Sequence, residues 1–340
     1  MKFGFGHVPA EDFRRHVRLV KLAEDLGYEY AWIPDQTFHR DPVALLAVMA
    51  LATSRIRLGL GVVNPFTRHP ALVAREAATI DEISHGRFAL GIGAGNRREL
   101  LAPLGLDTGH AASRCREMAE MVRALLTRAP TEYHGRHFQA SRVELEFKGR
   151  PDLEIYIAGR GPKVLEAAGA VADGAIVGGL CNPRGLSYAL DRVRVGAAAS
   201  GRDPASLEIV SWVTCHLTDD RKAGIHLLQP VVAHIINGAP MVVLEAAGLP
   251  FDLMRRIKEV MATGGPVEAG RLVTEDCVDA LTIVGDPGHC AERIRSLGSA
   301  GVTQVSLLMP PGEAADYEAR LLGFARTVFP LLDRPERGTC

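Results

Sequence analysis

The sequence predicts an α/β fold, a TIM (β/α)8 barrel with a helical insertion between its seventh and eighth strands. Three observations lead there: eight short apolar segments of strand length, helix-period or turn-rich stretches between them, and a longer run, roughly 219–300, before the last strand. At 340 residues the chain suits two average domains or one large barrel. No Pro/Gly/Ser-rich linker flanks the insertion, which favours a single domain over residues 1–340.

Lys2 to Gly6 reads as the first strand and residues 10–26 as a helix, with Val17, Val20, Leu22, Ala23 and Leu26 on its apolar face and Gly27 as its stop. Tyr30 to Ile33 is the second strand, and Pro42 opens a helix through Ala52. Ile56 to Gly61 is the third, followed by a helix over 71–83; Arg87 to Ile92 is the fourth, followed by a loop and a helix over 111–126. Residues 130–150 read as a hairpin or excursion. Leu153 to Ala158 and Gly174 to Val177 are strands five and six, each leading into a helix (162–170 and 184–199). Leu207 to Cys215 is the seventh, Val302 to Leu308 the eighth, and a helix over 314–328 closes the chain. Within the insertion, residues 219–236 and 251–262 carry helical patterns.

Composition narrows the function classes. Hydrophobic residues at 47% and charged residues at 23% describe a globular chain, and a net charge of -1 offers no basic field for nucleic acid. The N-terminus lacks the apolar core of a signal peptide and no long apolar run follows, so a cytoplasmic protein without a membrane partner is expected. The six cysteines are widely spaced, with no CxxC pair, and read as reduced thiols; no metal site is expected.

The candidate ligand-binding residues lie where strands end in glycine. Ile56 to Pro70, IRLGLGVVNPFTRHP, breaks from a buried strand through Gly59 and Gly61 into a loop that Pro65 keeps from continuing the strand. Gly91, Gly93 and Gly95 in LGIGAGN resemble part of a dinucleotide fingerprint, but Asn96 stands at the third glycine position and the strand is the fourth, so a Rossmann fold is rejected. Ala158-Gly159-Arg160-Gly161-Pro162-Lys163 joins strand five to a helix, so amides, helix dipole and two cations suit one phosphate; the same residues also suit a tight βα turn with surface charges. Gly178-Gly179 ends the neighbouring strand.

Taken together, WIPDQTFHRDP at 32–42, GLGVVNPFTRHP at 59–70, ATIDEISHGRFALGIGAGN at 78–96 and IAGRGPKVLEAAGAVADGAIVGG at 157–179 resemble the bacterial luciferase-like superfamily of flavin and deazaflavin oxidoreductases. Within it the chain is most similar to the branch using coenzyme F420, which includes the methylenetetrahydromethanopterin reductases. The resemblance implies a TIM barrel with a non-prolyl cis peptide between Gly61 and Val62, whose bulge backs a tricyclic ring made accessible by the bare Gly61. It implies Asp35 and Gln36 at the pocket, Asn64 offering an amide to the ring, Gly95 and Asn96 at the rim, and Ala158, Gly159, Arg160, Gly161, Gly178 and Gly179 around the phosphate tail. A hydride then passes between the deazaflavin C5 and a small organic substrate.

Departures bear on the acid. Related reductases place Glu where this chain has Gly6 and an acidic residue where it has Asn96, and Gln36 stands where His is frequent. An amide is no general acid near neutral pH. The remaining titratable candidates are His7, His39, Asp41, Arg68 and His69, with His39 the first choice for proton transfer, Asn96 orienting cofactor or substrate, and Arg97 or Arg98 meeting an acidic tail. The alternatives are an FMN-dependent monooxygenase fed by a flavin reductase, and a flavin-binding protein without turnover. The apolar run at 44–52 suits a homodimer face and equally suits packing on the barrel.

Overall fold

The structure, a computed structural model, describes residues 1–8, 12–36, 38–95, 101–127, 129–308 and 314–332, without the side chains of 314 and 315. Eight parallel strands close into a barrel: β1 (Lys2–Gly6), β2 (Tyr30–Ile33), β3 (Arg57–Val63), β4 (Phe88–Gly93), β5 (Glu154–Ala158), β6 (Gly174–Gly178), β7 (Glu208–Leu217) and β8 (Gln304–Leu308). Closure comes from β8 pairing β1 on one side and β7 on the other, with β7 also paired to β6.

Around it lie α1 (Phe13–Asp25), α2 (Pro42–Ala52), α3 (Pro70–Ile83), α4 (Ala111–Leu126), α5 (Pro162–Val171) and α6 (Pro183–Ala199). Local chemistry sets where several of these start. Asp41, His69 and Asn182 each accept a backbone N–H of the first turn, directly ahead of Pro42, Pro70 and Pro183. Each such cap contributes about 1 kcal/mol, and proline at the first helical position sacrifices no hydrogen bond. At the opposite end of the barrel, Glu24 accepts from the amides of Ser54, Arg55 and Ile56 and so fixes the turn into β3. Thr131–His134 and Gln139–Val143 form the hairpin expected within 130–150.

Between β7 and β8 come α7 (Arg221–Gly238), α8 (Met241–Ala246), α9 (Phe251–Gly270), α10 (Glu275–Leu281) and α11 (Pro287–Ser299), followed after β8 by α12 (Ala314–Thr327) and α13 (Phe329–Leu332). The insertion is not wholly helical, contrary to the sequence reading. Ile283–Gly285 pairs in parallel with Cys215–Leu217, where β7 runs past the barrel, and leads into α11. A strand of three residues is too short to show a period. Leu244 and Met254 are wholly buried in packing among these helices, while Phe251 is exposed.

Two apolar cores result. One lies between strands and helices. The other fills the barrel with Tyr30, Trp32, Ala89, Tyr156, Ile176 and Val210. Trp32 stacks on Tyr30 with centroids 5.8 Å apart and meets Tyr156 and Trp212 edge-on at 5.5 and 6.2 Å. Rings this large fit only because small residues face them. Trp32 is in register with Gly59, where a Cβ would stand 2.1 Å from its Cε3.

Candidate active site at the carboxyl rim

The Gly61–Val62 peptide is cis, and the β3/β4 register skips Val62, pairing Gly61 with Gly91 and Val63 with Ile92. The bulge presses Val62 against bare backbone on β4: a Cβ on Gly93 would lie 2.9 Å from Val62 Cγ2, and one on Gly91 would lie 3.3 Å from Cγ1. The sequence reading gave the bare Gly61 to a ligand ring, and the structure corrects this. A Cβ there would meet Trp212 at 2.8 Å and Trp32 at 2.9 Å, so protein side chains fill that space.

Beside the bulge a cavity of about 430 Å³ opens at the carboxyl ends of the strands, a volume within the range of small-molecule sites. Of the residues singled out in the sequence, Val62, Gly93, Gly95, Ala158, Gly159, Arg160, Gly161, Gly178 and Gly179 line it. Trp212 and Thr214 of β7, Leu308 of β8, Ile235 and Gly238 in the last turn of α7, and Pro240 ahead of α8 also line it and were missed. For Trp212 and Thr214 a signal existed: strand alternation sets them on the same face as Val210, inside the barrel. The end of α7 had no such signal, being placed by the packing of the insertion.

Arg160 is the charged side chain of this wall. Its Nη1 donates to the Ile235 carbonyl at 3.0 Å, and no carboxylate pairs with it among the described residues. Burial pulls its pKa down to about 10, so it remains a cation at neutral pH. Next to it α5 opens at Gly161 without a side-chain cap and with Pro162 in its first turn. The backbone contributes less than the sequence suggested: the Gly159 amide donates to Ile176 and the Gly179 amide to Trp212. Lys163 also departs from the expected convergence, lining a separate groove between α4, α5 and α6.

The other candidates among the described residues are not part of the cavity wall. Asp35 pairs with Arg68 at 3.5 Å, and Arg68 also holds Asp41 at 2.8 Å and Glu76 at 2.9 Å. Burial alone would lower the Arg68 pKa; Glu76 and Asp35 outweigh it and raise it. Asn64 is buried, and its Oδ1 accepts from the amides of Phe66 and Thr67, closing a turn. Gln36 accepts at its carbonyl from the amide of His39, whose side chain is exposed and is not part of the cavity wall. His69 caps α3. His7 points outward from β1 to stack on Phe5 and contact His16 at 2.8 Å; burial, then His16, lowers its pKa to about 3. Asn96, Arg97 and Arg98 lie outside the described residues.

Comparison with known proteins agrees with this geometry. The sequence profile described as luciferase-like monooxygenase matches residues 2–304. The 5,10-methylenetetrahydromethanopterin reductase of Archaeoglobus fulgidus is 34% identical over 95% of this chain and 98% of its own, and that of Methanopyrus kandleri 32% over 95% and 97%. The structure of the coenzyme F420-dependent tetrahydromethanopterin reductase from Methanopyrus kandleri superposes with a TM-score of 0.87 at 30% identity, covering 98% of this chain and 99% of that one. With its barrel, its cis bulge on β3 and these relatives, the chain belongs to the luciferase-like monooxygenase family.

Proposed function

We propose that this protein is a coenzyme F420-dependent oxidoreductase that moves a hydride between the deazaflavin C5 and a small organic substrate. The observation that carries the reading is Arg160: a half-buried guanidinium in a cavity wall, without a carboxylate partner among the described residues, beside an uncapped helix start. A cation so placed fits a phosphate, since charge-assisted hydrogen bonds to an anion offset its desolvation. Coenzyme F420 brings that phosphate and, when bound, supplies two-electron hydride chemistry.

The chain's own residues then bind, orient and exclude water. Val62 gives the cavity an apolar face beside the bulge; Gly161 and Gly178 leave room, with no heavy atom closer than 3.7 Å to a Cβ on either. Trp212, Leu308 and Ile235 shield the interior. Among the described residues no histidine or carboxylate lines this wall, and Thr214 supplies the side-chain hydroxyl nearest to a donor role. Proton transfer by His39, expected from the sequence, is therefore not part of this proposal.

The outer face of α2 extends the reading to a homodimer. Its eleven residues are all apolar, and Val48 and Leu51 remain 40% and 79% exposed beside Leu72 of α3 at 45%. An all-apolar helix is normally covered on every side. No helix among the described residues is long and apolar enough to cross a membrane.

The test is equilibrium titration of the apoprotein with coenzyme F420 and with FMN, followed by fluorescence. Micromolar or tighter binding of F420, with FMN weaker by about tenfold or more, is expected, and Arg160→Met should weaken F420 by roughly tenfold. Preference for FMN, or an Arg160→Met variant that binds as tightly as wild type, overturns the assignment.

A further inference from the structure

The cavity wall made by α7 consists of the helix's last turn, and that turn is held by two cations. The final carbonyls of a helix have no partner within it. Here Arg160 Nη1 donates to the Ile235 carbonyl at 3.0 Å, while Lys258 Nζ, from α9, donates to the carbonyls of Asn237 at 3.1 Å and Ala239 at 2.7 Å. The site is shaped for this arrangement. A Cβ on Gly238 would lie 3.1 Å from Arg160 Nη2 and one on Gly179 3.8 Å from Nη1, so the guanidinium rests between two bare residues. Lys258 itself is outside the cavity wall.

We propose that Lys258 is a positioning residue for Arg160. By fixing the carbonyls of Asn237 and Ala239 it fixes the end of α7, hence the Ile235 carbonyl, hence the direction in which Arg160 presents its remaining N–H groups. The guanidinium has five donors in a rigid fork, so anchoring one aims the others. Without the ammonium, the last turn of α7 frays, as uncapped helix ends do, and the arginine regains the rotamer freedom that anion binding must then remove. Lys258 thus acts on ligand affinity through Arg160 without touching the ligand. The inference rests on the reading of Arg160 as the anion-binding residue.

A double-mutant cycle on the full chain tests it, with the dissociation constant for coenzyme F420 as the readout and the apoprotein's thermal midpoint as the check on folding. Lys258→Met should weaken binding about fivefold or more, Lys258→Arg should restore it to within about twofold, and Lys258→Met should add nothing in the Arg160→Met background. A merely structural lysine would weaken both backgrounds alike. Unchanged affinity in Lys258→Met, or the same loss with and without Arg160, overturns the inference while leaving the cofactor reading intact. Failure of the wild-type protein to bind F420 removes that reading, and this inference with it. Should Lys258→Met not fold, Lys258→Gln, which keeps a donor for one carbonyl, enters the same cycle with a smaller loss expected and the same criteria.

Discussion

The rim of the barrel has two glycine-rich halves that look alike in sequence and differ in what occupies their missing side chains. On β3 and β4, Gly59, Gly61, Gly91 and Gly93 are filled from within: Trp32, Trp212, the Leu60 carbonyl and Val62 stand within 2.1 to 2.9 Å of the Cβ positions. Beyond β5 and β6, Val164 and Ile235 stand 2.6 and 2.9 Å from the Cβ positions of Gly159 and Gly179, but the room at Gly161, where α5 starts, and at Gly178 stays open toward a cavity that holds Arg160. The first half is packing, and its glycines belong to the stability of the barrel. The second keeps unfilled space around a cation at Gly161 and Gly178, which the proposed function gives to a ligand.

That contrast can be broken most sharply at Gly59. Changing it to Ala drives a methyl into Trp32, which cannot retreat because Tyr30 and Tyr156 hold it. The expected cost is on the order of 3 kcal/mol or more, read from urea denaturation. A variant as stable as wild type would mean the aromatic core is looser than its geometry says.

Next in size is a pH effect just beyond β1, whose glycines are filled from within like those of β3 and β4. His7 is 4% exposed, and burial, with His16 beside it, holds its pKa near 3 against an ordinary 6.5. The unfolded chain therefore binds more protons between these values. This contribution to stability is complete above pH 6.5 and is lost as pH falls toward 3, with a slope of at most about 1.4 kcal/mol per unit. Unfolding free energies at pH 7, 6 and 5 (about one unit apart, to resolve that slope) should converge on those of His7→Gln as the pH drops; parallel curves would show that His7 has the same pKa in the folded and unfolded states.

The smallest effect on stability is expected at Gly178, where a Cβ would find its nearest neighbour, Trp212 Cβ, at 3.9 Å. Gly178→Ala should change the unfolding free energy by no more than about 0.5 kcal/mol yet weaken coenzyme F420 several-fold, because the methyl enters the cavity. If stability falls and binding holds, the two halves of the rim are not different in kind.

Most of the architecture was legible from local pattern. Strand alternation, proline at helix starts and the caps Asp41, His69 and Asn182 act within a few residues of themselves, so eight strand–helix units could be read in order. So could the cis peptide, through the resemblance carried by GLGVVNPFTRHP. The three-residue strand at Ile283–Gly285 could not, because pairing with the overhang of β7 defines it and no period does.

The tertiary structure alone assigned the partners. Whether a glycine makes room for protein or for ligand depends on a side chain from another strand, as Trp32 meeting Gly59 and Trp212 meeting Gly61 show. Whether His7 faces the mouth or the helices depends on one step of strand alternation at a rim where the strand is ending. That Arg160 shares the end of α7 with Lys258, some hundred residues on, depends on the insertion folding back over β5 and β6. The chain's periodicity carries the barrel because secondary structure is a short-range consequence of sequence; the site is a long-range one, made where segments distant in the chain bring their side chains into the same space.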